Sequence, residues 1–353
     1  MKIKFYILCL FFISIFSSCS VQEEVKLSDD HEITGYGRTL KNVKNRGVVK
    51  CGVNSKLPGF GYLNEKGENK GFDVDFCRAL SCAVFGTPDK VEYRALSSKE
   101  RFTALQTGEV DVVIRNTTKT LTREIDLGIN FAPVTLFDGQ GMMVHKASNV
   151  KRLEDLEGAT IGVHAGTTTE LNLADQMAKL SLSYTPVVYE TGEELFSAYD
   201  AGRVDAVTSD KSGLISRKTT LANPSDHMIL DVTMSKEPLA PLIRHGDDNW
   251  FDLVSWVIYV TSAAEEYDIN SENVDKVKAT TNDPRVKKLL GIEGGMGEKI
   301  GLKNDWAYDV IKHVGNYNEI YERNLGEKTI FKLSREKNEL YTNGGLLFAP
   351  PFR

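Results

Sequence analysis

The sequence predicts an α/β protein whose two halves follow one plan. Three observations carry this. Residues 46–114 alternate short apolar runs with stretches of helical periodicity, in the order strand, helix, strand, helix, strand. Residues 158–210 restart the same order. The stretch Gly108-Glu-Val-Asp-Val-Val of the first half is echoed by Gly202-Arg-Val-Asp-Ala-Val in the second, at the same point of the pattern.

In chain order, RGVVKCGVN reads as a strand ending at Asn54, followed by a Pro/Gly loop from Leu57 to Gly71. FDVDFCRALSCAVF has apolar residues at helical spacing and stops at Gly86. VEYRAL is a strand. SSKERFTALQTG is a helix, with Ser97 or Ser98 as cap and Gly108 as terminator. VDVVI is a strand that runs into Arg115-Asn-Thr-Thr. In the second half GATIGVH is a strand, and AGTTTELNLADQMAKL is a glycine turn entering a helix. TPVVYE is a strand, TGEELFSAYDAG a helix from Thr191 to Gly202, and VDAVTSD a strand ending at Asp210. Towards the C-terminus WFDLVSWVIYV reads as a helix. A second starts at Asn282-Asp283-Pro284 and stops at Gly291. Residues 305–325 read as one long helix, with Trp306, Val310, Val314, Tyr317 and Tyr321 facing the core. GIEGGMGEKIG lacks the Lys-Ser/Thr of a nucleotide loop and is expected to be a plain loop.

Length and composition bound the function. With 353 residues and 41% hydrophobic content the chain can build two cores. A formal charge of −6 without long single-sign runs argues against a nucleic-acid partner. Residues 1–19 begin with Lys2 and Lys4 and continue into a short apolar stretch ending in small residues, the pattern of a secretory signal peptide. Cys19 after Ser17-Ser18 admits two readings: lipid modification of the cysteine, or ordinary cleavage nearby. Residues 20–37 read as a polar tether. Export permits a disulfide. Cys77 and Cys82 lie roughly 140° apart around one helix and should not bond each other. Cys51 and Cys77 form a candidate pair, and free buried thiols are the alternative. No Cys–His spacing suggests a metal site, and no cofactor is called for.

Ligands of open α/β sheets sit beyond the carboxyl ends of the strands. Four such ends carry polar groups: Asn54, Asn116 to Thr118, Gly166 to Thr168, and Asp210. Arg123 follows one of them and can grip a carboxylate with two parallel hydrogen bonds. The helix starting after Gly166 offers free N–H groups at Thr167 and Thr168, or a plain capping box between Thr167 and Glu170. Asp210 offers an anion, or a cap for the next helix. A ligand that satisfies the set carries both charges, and a free α-amino acid is the simplest. Phe60 and Leu57 are candidates for an apolar wall. Arg101 and Ser98 are candidates for the ligand's side-chain end.

The stretches KCGVNSKLPGF, SKERFTALQTGEVDVVIRNTT, DLGINFAPVTLFDGQGMMV, SKEPLAPLIRHGDDNWFDLV and GGLLFAPPFR resemble the periplasmic solute-binding proteins of polar amino-acid ABC transporters, and more narrowly the general L-amino-acid-binding subgroup. The resemblance covers nearly everything after residue 38. It implies a two-lobed periplasmic-binding-protein type 2 fold, each lobe an open sheet flanked by helices, with a helical C-terminal extension. Lobe 1 would comprise 38–143 and 240–353, and lobe 2 144–239, with hinge crossings near Gly141 to His145 and Pro238 to Pro241. It implies a monomer, free in the periplasm or tethered through Cys19, which captures free L-amino acids of a broad, mainly polar range and delivers them to a membrane permease. Arg123, Thr118 and Thr168 would hold the α-carboxylate, and Asp210 the α-ammonium. Asn116 would supply a strand-end carbonyl or its side chain. Ser98 and Arg101 would reach the side chain, and Asn54 stands where some relatives carry an acidic residue. No catalysis is expected. The alternative is an enzyme on the same fold, such as a dehydratase acting on an amino-acid-like substrate.

Overall fold

The computed structural model describes residues 37–353. The signal segment with Cys19, and the tether apart from Gly37, lie outside the described residues. The first half forms a five-stranded sheet in the order Val91–Ala95, Val49–Val53, Val112–Val113, Leu242–Arg244, Ile129–Phe131. Its first three strands are parallel, and Leu242–Arg244 is antiparallel to both neighbours. The second half repeats this. Thr185–Tyr189, Thr160–His164 and Ala206–Asp210 are parallel, then Leu136–His145 and His227–Ile229 follow antiparallel. Consecutive residues of a strand enter different cores. Val112 and Ile114 join one apolar cluster and Val113 another; Met142 and Val144 join one and Met143 another. Burial on both faces is why these strands read as continuous apolar runs.

The sequence echo has a structural cause. Gly108 and Gly202 both take positive φ at a helix end, at 78° and 68°. Two residues on, Val110 and Val204 are buried. The aspartates that follow do the same job in each lobe. Asp111 accepts from the Lys50 backbone N–H at 2.8 Å, and Asp205 from that of Thr160 at 2.7 Å, tying the third strand to the start of the first.

Several elements depart from expectation. Arg38–Arg46 is an amphipathic helix ended by Gly47, and the 57–71 loop carries a small three-stranded sheet, Lys56–Leu57, Gly61–Leu63 and Asn69–Lys70. The long helix over 305–325 is two helices, Trp306–His313 and Tyr317–Asn324. Gly315 turns the chain at φ 94°, and Asn316 with Glu319 forms a capping box that starts the second. The glycine-rich segment holds a short helix, Met296–Lys299.

The first crossing lies earlier than expected. Within Leu136–His145, residues 136–139 pair antiparallel with Lys236–Leu239, and from Gln140 onward the same strand pairs with Ala206–Asp210. Gly141 to His145 therefore belong to the second sheet, and the change of pairing partner falls between residues 139 and 140. The strand passes through the crossing without a break, so no turn residue marks it.

The C-terminal extension packs on lobe 1. Phe72 meets the rings of Tyr317 and Tyr321 edge-on at 5.9 and 6.2 Å, and Arg323 pairs with Asp75 at 2.7 Å. It also holds the crossing: Asn338 bonds the Phe137 backbone N–H and C=O at 2.7 and 3.1 Å, and the Tyr317 hydroxyl donates to Thr135 O at 2.8 Å. A disulfide joins Cys51 to Cys77, with their Cα atoms 6.2 Å apart. Cys82 is free and buried, its thiol pushed up to about 12 by burial and by Asp309, so it stays unreactive.

Candidate functional site

Strand ends of the two lobes meet at a cavity. Ser98, Arg101, Asn116, Thr118 and Arg123 line it from the first lobe, and Thr167, Thr168 and Asp210 from the second. His164, Thr169 and Ser209 complete the lining. Asn116 and Asp210, which stand eight positions after the echoed glycines Gly108 and Gly202, line this cavity together, one from each lobe.

Three expected residues sit elsewhere. Phe60 and Leu57 are core residues, 1% and 4% exposed, with the Phe60 ring packed edge-on to Phe72 at 6.3 Å. The small sheet turns both inward, away from the cavity. Asn54 lies one step out, in a neighbouring cavity, and donates to Asn116 Oδ1 at 3.3 Å.

Arg123 sits in the first turn of the helix Leu121–Leu127, which Thr120 caps. One guanidinium nitrogen donates to Thr118 O at 2.8 Å, and the Phe102 ring lies 5.2 Å from the guanidinium carbon. The same ring supports Arg101 at 4.8 Å, so one aromatic spaces two cations. Arg101 donates to Asn116 O and Thr117 Oγ1 at 3.2 and 2.9 Å, and reaches across the lobes to Gly166 O at 3.4 Å. Its Nε has no hydrogen-bond partner.

The helix Thr168–Lys179 points its N-terminus at the cavity. The capping box between Thr167 and Glu170 is not formed. Thr167 turns its hydroxyl back to His164 O at 2.6 Å, so its side chain leaves the first-turn amides uncapped. Asp210 begins the helix Lys211–Lys218 without a side-chain cap bond.

Glu237, in the second crossing, is a site residue the sequence reading missed. It is wholly buried. It accepts from Thr118 Oγ1 and Thr168 Oγ1 at 2.5 and 3.0 Å, one from each lobe, and from Asn172 and Ser235 at 2.8 and 2.5 Å. Thr117, named in the sequence only within the polar strand end, accepts from Arg101 at 2.9 Å. The cluster Asn116-Thr-Thr signalled Thr117. Nothing local signals Glu237, because only the fold brings the crossing against the strand ends.

The electrostatics are costly. Arg101, Arg115 and Asp210 are buried and Arg123 is half-buried, and none makes an ion pair within 4 Å among the described residues. Burial, then Arg115 and Arg123, pushes Arg101 well below its usual value. Burial lowers Arg123 too, with Glu237 and Asp210 opposing. Burial, then Asp138 and Glu237, raises the Asp210 carboxyl well above the ordinary range. His164 is held neutral, pushed to about 4 by burial and Arg115. Buried charges without contact partners are expensive to keep and mark functional sites. A second cavity, among Trp256, Met296, Trp306 and Phe352, is lined by Lys288 and Lys299 and by no Asp or Glu side chain among the described residues.

Comparison with known proteins gives the same direction. The family model described as bacterial extracellular solute-binding proteins, family 3, matches residues 49–273. The chain is 53% identical over 317 residues to the general L-amino acid-binding periplasmic protein AapJ of Rhizobium johnstonii, covering 89% of this chain and 93% of the relative. It is 48% identical over 315 residues to the glutamate/glutamine/aspartate/asparagine-binding protein BztA of Rhodobacter capsulatus, covering 89% and 93%. Among solved structures, an ABC transporter periplasmic binding protein from Brucella ovis with glutathione bound superposes with a TM-score of 0.87 at 47% identity, covering 89% of this chain and 99% of that one.

Proposed function

The chain belongs to the bacterial extracellular solute-binding proteins, family 3, and from that membership we propose that it is the extracytoplasmic solute-binding component of an amino-acid ABC importer. One observation carries the reading: charges of opposite sign, without ion-pair partners within 4 Å among the described residues, line one cavity from two lobes. A zwitterion supplies both missing partners. Its α-carboxylate docks on Arg123, the Thr118 hydroxyl and the Thr168 backbone N–H at the helix N-terminus. Its α-ammonium docks on Asp210, with Asn116 beside it. Ser98 and Arg101 receive the side-chain end. Asn54 acts at one remove, by orienting Asn116.

Ligand capture draws the lobes together about the paired crossing strands, and the closed form is presented to the permease. The names of the relatives support a broad range of L-amino acids with polar ones favoured, and support binding over the dehydratase alternative. Those names also support a periplasmic location, and the reading keeps both release after cleavage and a tether through Cys19. No helix among the described residues is long and apolar enough to cross a membrane. A thermal-shift screen of the mature protein against the twenty L-amino acids, with N-acetyl and methyl-ester forms as controls, tests the reading. It expects stabilisation by several free amino acids and by none of their blocked forms. Equal stabilisation by a blocked form, or turnover of a bound amino acid, contradicts it.

A further inference from the structure

An aspartate placed just before a helix ordinarily caps it, because its carboxylate accepts from a free N–H of the first turn. Two aspartates of this chain do so. Asp247 accepts from the Trp250 N–H at 3.1 Å, and Asp283 from the Arg285 N–H at 2.8 Å. Asp210 holds the same place before Lys211–Lys218 and makes no cap bond. An amide within its reach, that of Ser212 in the first turn, is already taken. Asp138 accepts from it at 3.1 Å through Oδ2, which also accepts from the Ser212 hydroxyl. The other oxygen of Asp138 accepts from the Gly139 N–H at 2.7 Å, which fixes the direction of the carboxylate.

Strand register brings these groups together. Asp210 pairs with Gln140 in an antiparallel ladder, so two residues further along Ser212 comes beside Asp138. Asp138 itself stands opposite Glu237, in the part of its strand that pairs with the second crossing. A helix of the second lobe is thus capped from the crossing and not by its own preceding residue. Ser212 is 6% exposed, so water is a poor substitute for that acceptor. Burial raises the Asp138 carboxyl, and its bonds to Ser212 and Gly139 oppose the rise.

Resting on the assignment of Asp210 to the ligand's α-ammonium, we propose that Asp138 is a positioning residue. It caps the helix Lys211–Lys218 in place of Asp210, and so leaves the Asp210 carboxylate free for the ligand. Without Asp138, Asp210 turns to the first-turn amides of its own helix, and a ligand must win it back.

Two measurements on the full mature protein test this. The first is calorimetry with L-glutamine and L-glutamate. Asp138→Ala should weaken both by about fivefold, while Asp138→Asn, which drops the charge and keeps an acceptor for Ser212, should stay within about twofold. The second is the ligand-free Tm. Asp210→Ala should leave it unchanged or raise it in the native and Asp138→Asn backgrounds. In Asp138→Ala the same substitution should lower it by about 2 °C, because Asp210 has become the cap. Misfolding does not mimic that change of sign. Unchanged affinity in Asp138→Ala, equal losses in the Ala and Asn variants, or one sign in all three backgrounds overturns the proposal. Should Asp138→Ala not fold, Asp138→Asn decides alone, and a fivefold loss there overturns the proposal. The Tm comparison uses no ligand. A sign change in a protein that binds none of the twenty L-amino acids therefore upholds the exchange of caps and overturns the amino-acid reading.

Discussion

On the proposed reading Arg123 and Asp210 set the affinity, because neither has an ion-pair partner within 4 Å among the described residues and the ligand supplies one to each. Arg123→Ala or Asp210→Asn should each cost about 2–5 kcal/mol of amino-acid binding by calorimetry, since one ligand charge is then buried unpaired. The two substitutions should differ in stability. Asp210 has its folded value raised by burial, Asp138 and Glu237. A group raised on folding favours the fold while protonated, and loses that contribution as pH rises through its folded value. Above the ordinary carboxylate value this raised group therefore weakens the ligand-free fold, and Asp210→Asn should raise its Tm by about 2 °C or more while abolishing binding. The ligand's ammonium requires the ionised form. Affinity should accordingly fall on acidification, beginning above the ordinary carboxylate value of about 3.9, with proton release on binding. Calorimetry in buffers of different ionisation enthalpy reads both. That these residues line one cavity was legible in the sequence, because polar groups at strand ends have few structural reasons to be there. Phe60 and Leu57 were misjudged because a proline-glycine loop does not announce that a small sheet will turn it inward. Glu237 was invisible because its partners Thr118, Thr168 and Asn172 lie 65 to 119 residues away in sequence.

The elements that position the site are held by local signals and by one covalent tie. The disulfide closes a 26-residue separation between the first strand and the helix that follows. Replacing Cys51 and Cys77 by alanine should lower stability by about 2–4 kcal/mol in chemical denaturation, through the unfolded chain's entropy. Amino-acid affinity should stay within about threefold, because neither cysteine lines the cavity. Asn316 is a second case. Its side chain caps the helix Tyr317–Asn324, and Asn316→Ala should cost about 1 kcal/mol. The sequence shows Gly315-Asn316 followed by Glu319, a start signal that the continuous apolar stripe from Trp306 to Tyr321 masked. Helix ends at Gly86, Gly202 and Gly291 were readable because glycine there relieves a left-handed turn. The first crossing was not, since Leu136–His145 changes partners without changing conformation.

For the whole molecule, closure rests on buried complementarity more than on the rim. The lobes touch through several bonds: Lys99 with Glu190 at 2.7 Å, Ser216 with Pro58 O at 2.6 Å, and Thr118 with Thr168 at 3.3 Å. The Lys99–Glu190 pair is more than half exposed on both sides and is worth about 0–1 kcal/mol. Lys99→Ala should therefore weaken binding by no more than about fivefold, far less than loss of Arg123. The two-lobed plan was legible from the repeated element order and the G-x-V-D echo, while the facing of the lobes depends on the crossing strands and on the extension that grips Phe137. A crystal structure of the mature protein with a bound L-amino acid is the most direct measurement of the central claim. The predicted result is a ligand between the lobes, its α-carboxylate on Arg123 and the Thr168 amide and its α-ammonium on Asp210. A ligand held outside this cavity, or with its ammonium turned away from Asp210, contradicts the account.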